Sequence, residues 1–225
     1  MQVLVIDHAV MSAASPAAGA RVGTGVSGSV ATSSNGRLTR HTVRIDPADN
    51  AAGVTGIQLE SLGDSAPGRE AWATALGRLE ELGERFLLGI AAELPPETLG
   101  SLREAARQAI LGLVDAEQPD AILVVGGGIL VELAVETGTP VVAHVTADDL
   151  AASGRTPRLR EIVAGGLASC DAVVAADDQT AQELRDWIVL DEDRPVTVRP
   201  LTDNVETMIE LCLLAHRRRH HGPDG

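Results

Sequence analysis

Four short apolar runs between residues 118 and 203 constrain this chain more than anything else in it. They are Ala121-Ile122-Leu123-Val124-Val125 after Pro119-Asp120, and Val141-Val142-Ala143-His144-Val145 after Gly138-Thr139-Pro140. Then come Ala172-Val173-Val174-Ala175 after Cys170-Asp171, and Val196-Thr197-Val198 after Arg194-Pro195. Each is rich in β-branched residues, bounded by Pro, Gly or Asp, and almost free of polar alternation. Such runs suit strands covered on both faces, as in a parallel sheet flanked by helices. Helical patterns separate them: Ile129 to Thr137, Pro157 to Ala168, and Asp178 to Trp187 with Asp177 or Asp178 as N-cap. The expected fold is α/β, a single Rossmann-like, doubly wound parallel sheet with helices on both faces.

Gln2 to Asp7 reads as an opening strand, central in the sheet. Ser12 to Asn35 is rich in Ala, Gly and Ser and reads as a mobile loop or a poor helix, each glycine costing a helix about 1 kcal/mol relative to Ala. Gly23-Thr24-Gly25-Val26-Ser27-Gly28 has the spacing of the dinucleotide fingerprint, but lies too far beyond the first strand to open the helix behind it. His41 to Asp46 alternates and reads as a second strand nearer an edge; Gly56 to Glu60 reads as a third. Gly68 to Leu94 has helical spacing through Trp72, Leu76, Leu79, Phe86 and Ile90, and Pro95-Pro96 ends it. Pro96 suits the first turn of the next helix, whose stripe is Leu99, Leu102, Ala106, Ala109, Ile110, Leu113 and Val114. Asn204 to His216 is amphipathic and seals the domain. Residues 1–216 are expected to form one domain and residues 217–225 a disordered Arg/His-rich tail.

Composition narrows the function. Against 18 basic residues stand 32 acidic ones, a formal net charge of −14, and every basic residue is arginine because lysine is absent. That field disfavours a nucleic-acid surface. With aromatics at 1%, stacking platforms are disfavoured too. No run approaches the ~18 apolar residues of a membrane span, so a soluble, cytoplasmic protein is expected. Cys170 and Cys212 sit in apolar contexts and read as reduced, packed thiols, without a disulfide or a zinc site.

Ligands of open parallel sheets bind at the carboxyl ends of the strands. The candidate cleft residues are therefore Asp7 and His8, Gly19 in the following loop, Gly126, Gly127 and Gly128, Thr146 with Asp148, and Asp177. The glycine triplet either lets a ligand approach exposed amides or makes a tight strand-to-helix turn. Asp148-Asp149 and Asp177-Asp178 read as helix caps and solvated charge rather than a metal site. His144, inside a strand pattern, reads as a hydrogen-bonded core or cleft-lining imidazole. No nucleophile elbow and no Gly-Lys-Ser/Thr phosphate loop is present, so no catalytic residue is assigned, and neither a metal nor a resident cofactor is expected.

Residues 118–204 resemble the N-terminal half of the retaining, family 4 type glycosyltransferases of the GT-B fold. That family reads Pro-Asp strand, helix, Gly-x-Pro-Val-Val strand, arginine-bearing helix, Ala-Asp-Ala-Val-x-Ala strand, Glu-Leu helix and Arg-Val-Thr-Val-x-Pro-Asn-Gly. Here the counterparts are Pro119-Asp120, Gly138 to Val142, Arg158-Leu159-Arg160-Glu161, Cys170 to Ala175, Ala181 to Arg185 and Val196 to Pro200. Departures accompany the match. Leu123 and Val125 stand where histidines are frequent, Thr146 replaces a cleft histidine, and Leu201-Thr202 replaces Asn-Gly. The sequence also stops where the second Rossmann domain, with the nucleotide-sugar site and the Glu-x7-Glu motif, would begin.

The resemblance implies a GT-B N-terminal-like, acceptor-binding half of a two-chain glycosyltransferase. Such enzymes need no metal, and the nucleotide-sugar donor would bind mainly on a partner domain. A homo-oligomer, or a hetero-complex with a donor-domain subunit, is the expected assembly. The rivals are a non-catalytic glycosyltransferase-like interaction or scaffold protein, favoured by Leu123 and Val125, and an unrelated Rossmann-like nucleotide or small-molecule binder.

Overall fold

The computed structural model describes residues 1–8, 29–45, 54–57, 91, 94–126, 128–188, 196–199 and 205–221. In chain order these form β1 (Gln2–His8), β2 (Ser29–Ser33), β3 (Gly36–Ile45), β4 (Val54–Ile57), α1 (Pro96–Glu117), β5 (Ala121–Val125) and α2 (Ile129–Val135). There follow β6 (Val141–Val145), α3 (Ala147–Ser153), α4 (Pro157–Ser169), β7 (Ala172–Ala175), α5 (Asp178–Trp187), β8 (Thr197–Val198) and α6 (Val205–His221).

The strands make one sheet in the order β2-β3-β1-β5-β6-β7-β8, with β4 beside β2 on the outer edge of β3. Every pairing is parallel except the β2–β3 hairpin. From β1 the chain moves one way to β3 and β4, then crosses back to β5 and proceeds the other way. The reversal between β1 and β5 is the topological switch point of a Rossmann-like sheet.

Three of the four apolar runs fold as strands covered on both faces, whereas the fourth is reduced to the two-residue edge strand β8, in which Thr197 is half-buried and Val198 is 40% exposed. Leu4, Ile6, Ile122, Val124, Val141, Ala143, Val145, Val173 and Ala175 point into a core shared with α1, α2, α4 and α5. Their neighbours Val3, Val5, Leu123, Val125, Val142 and Val174 point to the opposite side, against Met208, Ile209, Leu211, Cys212 and Ala215 of α6. The period-two alternation of strand side chains divides one apolar run between two cores. In α1, Pro96 occupies the first turn, and Leu99, Leu102, Ala106, Ile110 and Leu113 are buried as the stripe requires.

The strand ends are fixed by carboxylates. Asp120, one residue before β5, accepts the N–H of Gln2 at 2.7 Å; Asp171, one residue before β7, accepts that of Val141 at 2.8 Å. Both aspartates face α6, where His216 Nδ1 lies 3.2 Å from the Asp120 carbonyl and Arg219 pairs with Asp171 at 3.3 Å.

Four expectations need correction. The strand expected at His41 to Asp46 starts earlier, at Gly36, and is flanked on both edges. Alternation reports how polar the two faces are, not how many strands pair alongside. The end of the stretch read as a loop or poor helix is strand β2, joined to β3 through Ser34-Asn35. The tail expected from residue 217 begins as helix, because α6 continues through the arginines to His221. The third strand is β4, displaced to Val54–Ile57. The helix read across residues 68–94 falls mostly outside the described residues, although Ala91 and Leu94 are buried in the core with α1.

Candidate functional site

Parallel register brings the ends of β1, β5, β6, β7 and β8 to one edge of the sheet. Asp7 is opposite Val125, Val125 opposite His144, His144 opposite Val174, and Val174 opposite Thr197. Asp7 shares the face of Val3 and Val5, and His144 that of Val142, so both lie on the α6 side. They stand two strands apart, about 10 Å between backbones.

His144 is 2% exposed, and its Nε2 lies 3.3 Å from the carbonyl oxygen of Arg199. It is the hydrogen-bonded, sheet-lining imidazole that its strand pattern implied. Arg199 anchors the end of β8 by donating its N–H to the Ala175 carbonyl at 2.8 Å. Its half-exposed guanidinium lies 3.6 Å from Glu210 of α6. Reading strand ends from apolar runs passed over this cation, although an arginine directly after Thr197-Val198 was the available signal.

Gly126 and Gly128 have φ of 96° and 74°, values that L side chains rarely adopt. The Gly126 N–H is bonded to the His144 carbonyl at 2.9 Å, and the Gly128 carbonyl receives Val131 N–H at 3.3 Å. Gly126 therefore extends the β5–β6 ladder by one bond and then turns the chain into α2.

Thr146 is the N-cap of α3 in a reciprocal capping box. Its hydroxyl accepts the Asp149 N–H at 3.3 Å, and Asp149 Oδ2 accepts the Thr146 N–H and hydroxyl, each at 2.7 Å. Asp149 is 1% exposed, while Asp148 faces solvent. Asp177, also exposed, caps α5: Oδ1 accepts the Thr180 N–H at 2.7 Å and the Thr180 hydroxyl at 2.8 Å. Those bonds, the backbone one foremost, hold the Asp177 carboxyl below its ordinary value.

Of the candidate cleft residues, Asp7, Gly126, Gly128, Thr146, Asp148 and Asp177 gather along the carboxyl edge. His8 ends β1, with only its backbone described; Gly19 and Gly127 lie outside the described residues. Thr146 and Asp177 serve local structure first, as helix caps, and the carboxylate that completes the α3 cap is Asp149 rather than Asp148. A Thr-x-x-Asp and an Asp-x-x-Thr spacing in the sequence signalled both caps.

Among the described residues, no group of three or more His, Cys, Asp or Glu side chains could hold a metal ion. No described helix is long and apolar enough to cross a membrane. Cys170 and Cys212 are buried and free, and burial pushes the Cys212 thiol up to about 12.

No protein-family model matches the chain, and no curated protein matches it. Among solved structures it is similar to UDP-GlcNAc 2-epimerase from Neisseria meningitidis bound to UDP-GlcNAc, with a TM-score of 0.39 and 13% sequence identity over 88% of this chain. The chain spans about half of that protein, 46% of its length.

Proposed function

We propose that this chain is the acceptor-side lobe of a glycosyltransferase-like enzyme of the GT-B, family 4 type, whose nucleotide-sugar donor is bound by a second lobe on a partner chain. One observation carries the reading. The segments with the family's order and spacing are consecutive parallel strands and helices, and the first of them, β5, borders the switch point beside β1. Asp7, Gly126, Thr146, Asp148 and Asp177 border the carboxyl edge, as do Arg199 and the sheet-lining His144. In this reading Asp7 and Arg199 orient acceptor hydroxyl or anionic groups, and the glycine turn leaves room for a sugar beside the β5 end. Partner residues supply the donor contacts, and no metal takes part.

The test is capture of the partner, followed by sugar-nucleotide turnover with the recombined proteins. Transfer that appears only when a donor-lobe protein is added, and falls at least tenfold in Asp7→Asn, is the expected result. Turnover unaffected by Asp7→Asn and Arg199→Ala, or transfer by the partner without this chain, would overturn it.

A second reading has its own support. Thr146, where the resemblance implies a histidine, has its hydroxyl engaged in the α3 cap, and Leu123 and Val125 are packed against α6. A non-catalytic scaffold that retains the fold requires no more than this. Inertness with every co-purifying partner would favour it.

A further inference from the structure

We propose that α6 is a self-association surface, pairing antiparallel with α6 of a second copy of this chain about a two-fold axis beside Leu213 and Leu214. The inference does not depend on the functional reading above. The inner face of α6, Met208, Ile209, Leu211, Cys212 and Ala215, is consumed by the sheet. Outside, Glu206, Glu210, Leu214 and Arg217 recur at spacings of four, four and three, which places them in one stripe. All four are exposed, and Leu214, 52% exposed, lies between Glu210 and Arg217. Leu213, partly buried, flanks it.

Charge chooses the partner. Along the stripe the sign changes once, from Glu206 and Glu210 to Arg217. This order complements the helix dipole, but the dipole gives no reason to leave a leucine exposed between the charges. In an antiparallel pair with the axis between Leu213 and Leu214, Glu210 of each copy meets Arg217 of the other. The ion pair thus forms twice by symmetry while the leucines meet at the centre. A parallel pair would oppose like charges. Most of a surface with net charge −14 repels its own copy; this stripe carries both signs in self-complementary order. Glu210 lies 3.6 Å from Arg199 within its own chain, and a carboxylate has acceptor capacity for a second arginine. A single helix pair about 26 Å long is a small interface, so the dimer is a weak, reversible one.

Sedimentation velocity on the full chain over a concentration series tests this, with far-UV circular dichroism confirming that each variant is folded. The expected result is a monomer–dimer equilibrium in the native protein. Glu210→Arg and Arg217→Glu each weaken it about tenfold, the doubly swapped protein recovers to within about threefold of the native value, and Leu214→Glu abolishes it. A native chain that stays monomeric at high micromolar concentration would overturn the proposal. So would a dimer indifferent to Leu214→Glu, or a folded double swap that fails to recover.

Discussion

The carboxylate of Asp171 accepts the N–H of Val141 at 2.8 Å, so the residue before one strand fixes the start of its neighbour. The same oxygen pairs with Arg219 at 3.3 Å, which ties that corner to α6. Asp171→Ala removes a charge-assisted bond and leaves the Val141 amide without this acceptor. A loss of about 1–3 kcal/mol is expected in urea unfolding. Asp171→Asn, which keeps an acceptor oxygen, should lose less; equal losses would show that the strand-start bond is not the source.

Two adjacent glycines in α4 should respond with opposite sign. A Cβ at Gly166 would stand 2.8 Å from the Glu132 backbone nitrogen and 3.1 Å from its Cα, whereas a Cβ at Gly165 meets nothing within 4 Å. Gly166→Ala must push α2 and α4 apart and should cost about 1–3 kcal/mol. Gly165→Ala should gain up to about 1 kcal/mol, since alanine favours the helix and restricts the unfolded chain. Denaturant midpoints moving in the same direction would refute this packing.

The α3 cap predicts a difference between a substitution that keeps the hydroxyl and one that keeps the shape without it. Thr146→Ser retains the hydroxyl that caps Asp149 and should leave stability nearly unchanged. Thr146→Val loses the hydroxyl and should cost about 1 kcal/mol. Hydrogen exchange at the Asp149 and Leu150 amides should accelerate in the valine variant alone.

Asp177 sets a pH dependence of known sign. Its folded carboxyl is held below its ordinary value by Thr180, so the cap's contribution is complete above the unfolded pKa, about 3.9. It is lost as pH falls through the lower folded value. Asp177→Asn should therefore flatten the acid limb of the unfolding midpoint measured as a function of pH. Superimposable acid limbs for the two proteins would contradict the assignment.

Neither thiol should react in the native state. Cys212 is buried with its thiol at about 12, and buried Cys170 donates Sγ–H to the Leu167 carbonyl at 3.1 Å. An aromatic disulfide reagent at pH 8 should label no thiol in folded protein and two after unfolding. Rapid labelling of Cys212 in the native chain would show an opening of the α6 face.

The sequence was legible where burial on both faces left an unbroken apolar run. Ile122, Val142 and Val173 could be placed in parallel strands because their runs are short, rich in β-branched residues and bounded by Pro, Gly or Asp. It was less legible in β2 and β3. The residues Ser29-Val30-Ala31-Thr32-Ser33 carry almost no apolar signal, and the Asn35-Gly36 pair beside a strand was the clue to their hairpin. Edge positions such as Asp7, Gly126 and Thr146 followed from strand ends, since parallel register fixes them together. The engagement of Thr146 and Asp177 as caps is also written in their spacing. What composition could not disclose was the reach of Arg199 to His144, a contact between residues 55 apart in sequence.

Because α6 follows every other described element, the hydrophobic side of the sheet formed by Val3, Val5, Leu123, Val142 and Val174 receives this cover last during synthesis. A ribosome-bound polypeptide that has not yet emerged past Ala215 leaves those apolar side chains open to its surroundings, the kind of surface on which incompletely folded chains aggregate.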